Sequence, residues 1–169
     1  MPVLVTYGST RGGTEGLAQM LAEGLRAEAL SVEVASASKV TSTQGYEAVV
    51  VGGALYAARW HRHSRRFVKR HARELRHKPT YFFSSGPLDS SASEREIAPV
   101  RGVQALMAVV GARGHATFGG RLAPDAEGFA ASAMAKRNAG DWRDQDQVRA
   151  WAHRLATELS PGPASASGS

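Results

Sequence analysis

Residues 3–25 read VLVTYGSTRGGTEGLAQMLAEGL, and three patterns follow one another without a gap. Val3–Tyr7 is short, apolar and rich in β-branched residues, the composition of a buried strand. From Thr14 to Ala29, leucines at 17, 21 and 25 with Met20 beside them lay one apolar face along a helix. Between the two lies Gly8-Ser9-Thr10-Arg11-Gly12-Gly13-Thr14. Where a buried strand turns into a helix, backbone N–H groups converge and the helix dipole adds partial positive charge. Ser9, Thr10 and Thr14 add hydroxyls, and Gly12 and Gly13 permit close backbone approach. The segment therefore reads as a phosphate cradle. It is not the ATP-binding loop, because Thr14 stands where that loop needs lysine, and it lacks the G-x-G-x-x-G spacing of dinucleotide sites. Its bland alternative is a ligand-free glycine-rich turn.

The rest of the chain continues the alternation. Ser31–Ser36 alternates like an edge strand, and Ala37–Gly45 is polar, with room for one helical turn. Tyr46–Val51 is a third strand, closed by Gly52 and Gly53. Ser64–Arg76 is a helix that turns Phe67, His71 and Leu75 inward and is stopped by Pro79. Thr80–Ser84 is a fourth strand and His115–Phe118 a short fifth. Helices over Val100–Ala112 and Asp144–Leu159 flank that fifth strand. The connection 123–142 has no assignable pattern; it reads as a lid, a docking surface or an irregular edge segment. Alternating strands and helices predict an α/β fold: a doubly wound, five-stranded parallel sheet in the order 2-1-3-4-5 with helices on both faces. One domain over residues 1–159 is expected, followed by a disordered, low-complexity tail at 160–169.

In such a sheet, ligands bind beyond the carboxyl ends of the strands, at the switch between strands one and three. The loop after strand three offers Ala54, Leu55, Tyr56 and Trp60, and its two aromatics are platforms for a planar heterocycle. Either ring could instead cap the core. The loop after strand four, Ser84-Ser85-Gly86-Pro87-Leu88, presents amides and hydroxyls to the polar edge of the same ring.

Bulk properties narrow the classes. The 169 residues contain no cysteine, which excludes disulfides, thiolate catalysis and cysteine-ligated metals. No apolar run approaches the roughly 20 residues of a membrane span, and the start shows no signal-peptide pattern, so a cytoplasmic protein is expected. The net charge of +6 is local. Arg59, Arg62, Arg65, Arg66, Lys69, Arg70, Arg73, Arg76 and Lys78 crowd one stretch whose only acid is Glu74. A solvated helix face is the ordinary reading of such a run. The sharper one is an anionic partner: tetrapyrrole propionates, an acidic membrane surface or an acidic redox protein. No nucleic-acid recognition module accompanies it, so nucleic acid is not expected. His61, His63 and His71 lack a carboxylate at ligand spacing, and no metal site is expected.

The run from Leu4 to Ala22, with Ser9, Arg11, Gly12 and Thr14 on the positions of a T-x-T-G-x-T loop, resembles the flavodoxin family. VVVGGALY with the following RWH, RRFVKRHAREL, PTYFFSSGPL, FGGRL (118–122) and DWRDQDQVRAWA (141–152) resemble its branch that contains the menaquinone-dependent protoporphyrinogen oxidase. The resemblance implies noncovalent FMN, with its phosphate on Ser9–Thr14 and its isoalloxazine between the loops at 53–60 and 84–89. It implies an FMN oxidoreductase that oxidises a small organic substrate and reduces a quinone, or else an electron carrier between protein partners. A carrier like ordinary flavodoxins would surround the flavin with acids; this chain presents the reverse, which favours the enzyme. No residue's catalytic role is forced by the sequence. A phosphoacceptor receiver domain shares the strand order but needs acids where Tyr7-Gly8 and Gly52-Gly53 stand.

Overall fold

The computed structural model describes residues 2–9, 13–56, 59–86, 97–122, 140–141 and 143–160. The chain forms β1 (Val3–Gly8), α1 (Gly13–Ala27), β2 (Val32–Ser36), β3 (Ala48–Tyr56) and β4 (Arg59–Trp60). Next come α2 (Arg62–Arg70), α3 (Ala72–Leu75), β5 (Thr80–Ser85) and α4 (Arg101–Val110). The last elements are β6 (Gly114–Phe118), β7 (Arg121–Leu122), β8 (Gly140–Asp141) and α5 (Gln145–Leu159). The parallel strands lie in the order β2-β1-β3-β5-β6. This is the expected 2-1-3-4-5 arrangement, with the short β4 interposed in the chain.

Each long strand is buried because helices cover both faces. Val3, Val5, Val50, Tyr81 and Phe83 pack with Leu17, Leu21 and Leu25 of α1 and Val148, Trp151 and Leu155 of α5. Leu4, Val49, Val51 and Phe82 pack with Phe67 and Val68 of α2, Leu75 of α3 and Val103, Leu106 and Val110 of α4. The period-two alternation of a strand sends neighbouring residues to opposite cores. Gly24 lets α1 meet α5 closely; a Cβ there would lie 2.8 Å from that of Ala152. Local signals set the helix ends. Asp144 caps α5 by accepting from the Gln147 N–H at 3.1 Å, and α4 ends on Gly111, left-handed at φ 65°.

Three expected boundaries move. The third strand does not close at Gly52 and Gly53 but runs through them to Tyr56. Glycine is needed inside this strand because a Cβ at Gly52 would run into the Phe83 ring and one at Gly53 into the Trp60 indole. The stretch expected as a loop after it is partly a hairpin, with Leu55 opposite Trp60 and Tyr56 opposite Arg59. The single basic helix is two helices, broken at His71, whose backbone (φ −104°, ψ 14°) leaves helical geometry. Near the end of the connection 123–142, β8 pairs antiparallel with β7, which lies just before it. Residues 123–139, Trp142 and the tail from 161 lie outside the described residues.

Candidate functional site

The register of the sheet brings the three expected loops level. Gly8 at the end of β1 pairs with Gly53 of β3, and Gly53 pairs with Ser84 of β5. Ala54 and Ser85 form the next pair outward. The carboxyl ends of the three central strands thus share one line, and α1 begins beside it.

At the first strand end, Ser9 is half-buried, and Gly13 and Thr14 open α1, both buried. Thr10, Arg11 and Gly12 lie outside the described residues. Thr14 is 1% exposed, and its Oγ1 is buried with no hydrogen-bond partner among the described residues. An orphaned hydroxyl in the first turn of a helix, where the first N–H groups also lack intrahelical partners, leaves donors available to a ligand. A phosphate group fits that demand.

The second strand end separates its two aromatics. Tyr56 is 42% exposed, whereas Trp60 is 3% exposed. The Trp60 ring lies 4.9 Å from that of Phe82, tilted by 34°. One indole face is therefore committed to the core, and Tyr56 is the aromatic left near solvent. The Trp60 Nε1–H is a second buried donor without a partner among the described residues. Ala54 is buried and Leu55 half-buried beneath the hairpin. At the third end, Ser84 and Ser85 are buried in β5 rather than in a loop. Gly86 donates its N–H to the Phe118 carbonyl at 3.2 Å. Pro87 and Leu88 lie outside the described residues.

Two side chains beneath this line were not legible as site residues. Ser64 donates its hydroxyl to the Gly52 carbonyl at 2.7 Å, tying the start of α2 to β3. A Cβ at Gly8 would run into that hydroxyl and come within 3.0 Å of His61 Nδ1, so glycine at this strand end admits the start of α2. His61 caps α2 by accepting from the His63 N–H at 3.1 Å. Burial pushes the His61 pKa down, with help from the neighbouring charges of His63, Arg62 and Arg65. Its Nδ1 is thus an acceptor and the ring is held neutral. Histidine is not among the usual helix caps, so no sequence signal marked it. Likewise, the Arg143 guanidinium occupies the space a Cβ of Gly16 would take in the first turn of α1. That contact spans the whole chain, and spacing gives no sign of it. Tyr7, at the end of β1, has its pKa raised by burial and by the Glu15 carboxylate.

A doubly wound parallel sheet in the order β2-β1-β3-β5-β6, with a strand-to-helix turn at its switch point, defines a flavodoxin-like fold. Residues 4–137 match the model of a flavodoxin domain family, and the chain belongs to that family. Membership indicates FMN as the cofactor and electron transfer as the chemistry. Among solved structures, a flavodoxin from the domain Archaea superposes with a TM-score of 0.63 at 16% identity, covering 94% of this chain and 98% of that one. Oxidised flavodoxin 2 from Bacillus cereus superposes with a TM-score of 0.62 at 17% identity, covering 94% and 100%. Among curated proteins, protoporphyrinogen IX dehydrogenase [quinone] of Escherichia coli (strain K12) is 29% identical over 86 residues. That match covers 50% of this chain and 48% of the relative, so the chain spans about half the length of the curated relatives it matches. No described helix is long and apolar enough to cross a membrane.

Proposed function

We propose that the chain holds FMN across the aligned ends of β1, β3 and β5 and works as a quinone-linked oxidoreductase on a small organic substrate of the protoporphyrinogen type. The observation that carries the cofactor site is the buried, unpartnered Thr14 hydroxyl at the start of α1. In this reading Ser9–Thr14 bind the phosphate with backbone N–H groups and hydroxyls. Leu55 and Tyr56 flank the ring system from one side, and Ser85 to Leu88 from the other. Bound FMN supplies one-electron or hydride chemistry at its ring. The protein binds and orients it, the packed hairpin excludes water from one edge, and the Trp60 N–H and Thr14 hydroxyl offer donors. The substrate class rests on the half-length similarity to a protein named for protoporphyrinogen and quinone.

The test is titration of FMN into purified protein, followed by flavin fluorescence. Thr14→Arg fills the cradle and is expected to abolish measurable binding; unchanged affinity would remove the cradle from consideration. Anaerobic protoporphyrinogen oxidation with a menaquinone acceptor then separates the enzyme from the carrier. Turnover supports the enzyme. A protein that binds FMN and exchanges electrons only with protein partners is the carrier.

A further inference from the structure

The outer side of α2 and α3 forms a ridge with one sign of charge. Arg62, Arg66, Lys69, Arg70, Arg73 and Arg76 are all exposed. With Lys69 and Arg70 side by side and the other steps three or four residues long, they lie on the face opposite the buried Ser64, Phe67, Val68 and Leu75. None of the six forms an ion pair among the described residues. The one acid of the stretch, Glu74, is turned away from them: its carboxylate accepts from the Thr43 hydroxyl and backbone N–H and faces His71. Thr43, Lys78 and Glu74 thereby make a separate polar knot, in which Lys78 donates to the carbonyls of Thr43 and Tyr46.

We infer that this ridge is a docking surface for a membrane leaflet rich in anionic lipid. Two observations select a bilayer from among anionic partners. The cations extend over two consecutive helices, about 20 Å of helix, far beyond the reach of one pair of carboxylates. Finally, the large apolar side chains exposed among the described residues are Tyr56 and Val109, and they border opposite ends of the ridge. Tyr56 pairs with Arg59 at the hairpin, and the Val109 carbonyl accepts from the Arg76 guanidinium at 2.8 Å. Basic residues bordered by an interfacial tyrosine and a short aliphatic suit the headgroup boundary. The apolar face of α2 is already used in the core, so the attachment is electrostatic and reversible, without insertion of the helix.

This inference deepens the quinone-linked reading, because the ridge begins at the hairpin beside the flavin site and would bring that end of the sheet to the leaflet. The experiment is co-sedimentation of the full-length, FMN-supplemented protein with vesicles of phosphatidylcholine, with and without about one third phosphatidylglycerol. Binding is expected only to the anionic vesicles, with release as salt rises from roughly 0.05 M to roughly 0.5 M, where the screening length shrinks severalfold. Arg66→Glu, Arg70→Glu and Arg73→Glu combined should lower partitioning by a factor on the order of one hundred. The milder set Arg66→Gln, Arg70→Gln and Arg73→Gln should fall between. FMN titration of each variant reports an intact fold. Equal binding to neutral vesicles, or retention by both triple variants, overturns the inference. So does tighter binding to duplex DNA than to anionic vesicles at the same salt. A protein that binds vesicles but not FMN would retain the docking surface and lose the cofactor reading.

Discussion

On one face of the sheet Val3, Val5, Tyr81 and Phe83 meet α1 and α5; on the other Leu4, Val51 and Phe82 meet α2, α3 and α4. The first core is largely apolar, and the Tyr81 hydroxyl donates to Glu158 at 2.6 Å. The second face buries Ser64, His61, His71, Thr80 and Ser84 among its hydrocarbon and carries the basic ridge outside. Buried polar groups cost stability unless each is paired. Apart from Thr14 at the start of α1, these groups lie on one side, so the layer of α1 and α5 serves mainly as scaffold beyond its first turn and the other layer carries most of the polar structure.

The contrast breaks most readily at the aromatic cluster of the apolar face. Trp151 is 5% exposed and meets the Phe118 ring at 5.6 Å and the Phe83 ring at 6.3 Å, both edge-on. Trp151→Ala should lower unfolding free energy by about 3–5 kcal/mol. Its affinity for FMN, measured where the variant is still folded, should stay within about threefold, a change below 1 kcal/mol. Chemical denaturation and flavin titration read the two separately. A large loss of FMN affinity in the folded variant would mean that this face is not a mere scaffold.

How much of this was legible varied with the range of the interaction. The strand order and the place of the turn between β1 and α1 follow from local patterns: a β-branched run, a glycine-rich turn, leucines every four residues. Both cores were readable for the same reason, as with Val148, Trp151 and Leu155 on α5. The hairpin at Leu55–Trp60 was hidden because two glycines resemble a strand terminus. They are instead spaces left for Phe83 and Trp60, residues a sequence window does not bring together. Trp60 itself carries no sign of which side it faces; the pairing with Leu55 turns it inward. His61, Ser64 and Arg143 act through contacts with Gly8, Gly52 and Gly16, which spacing cannot reveal.

A smaller effect sharpens the comparison through pH. His115 accepts or donates a hydrogen bond between Nε2 and Ser84 Oγ at 2.9 Å, and burial pushes its pKa down to about 4. The folded protein keeps it neutral, while the unfolded chain takes up a proton near pH 6.5. Below that value the unfolded state binds more protons, so stability is full above about pH 6.5 and falls as pH drops toward about 4. Between pH 7 and pH 4.5 the loss should be about 2 kcal/mol. The lowered pKa values of His61 and His71 act in the same direction. His115→Gln keeps a hydrogen-bonding side chain beside Ser84 and removes the titration, so its denaturation midpoints should fall less steeply with acid. Parallel curves for the two proteins would show that His115 does not contribute.

The smallest effect separates two hydroxyls that burial alone does not distinguish. Ser64 Oγ has its partner within the protein, the Gly52 carbonyl at 2.7 Å. Thr14 Oγ1 has none among the described residues. Removing a satisfied buried hydroxyl forfeits a hydrogen bond, whereas removing an unsatisfied one relieves a desolvation cost. In the absence of FMN, Ser64→Ala should therefore lose about 1 kcal/mol, while Thr14→Val should lose nothing or gain a few tenths. With FMN present the order reverses. Thr14→Val gives up a ligand contact and should weaken binding by about tenfold, and Ser64→Ala should shift affinity by less than about threefold. Melting curves of both variants with and without FMN supply all four values. If Thr14→Val destabilised the cofactor-free protein as much as Ser64→Ala, its hydroxyl would be serving the fold, and the division between scaffold and site at the start of α1 would have to be redrawn.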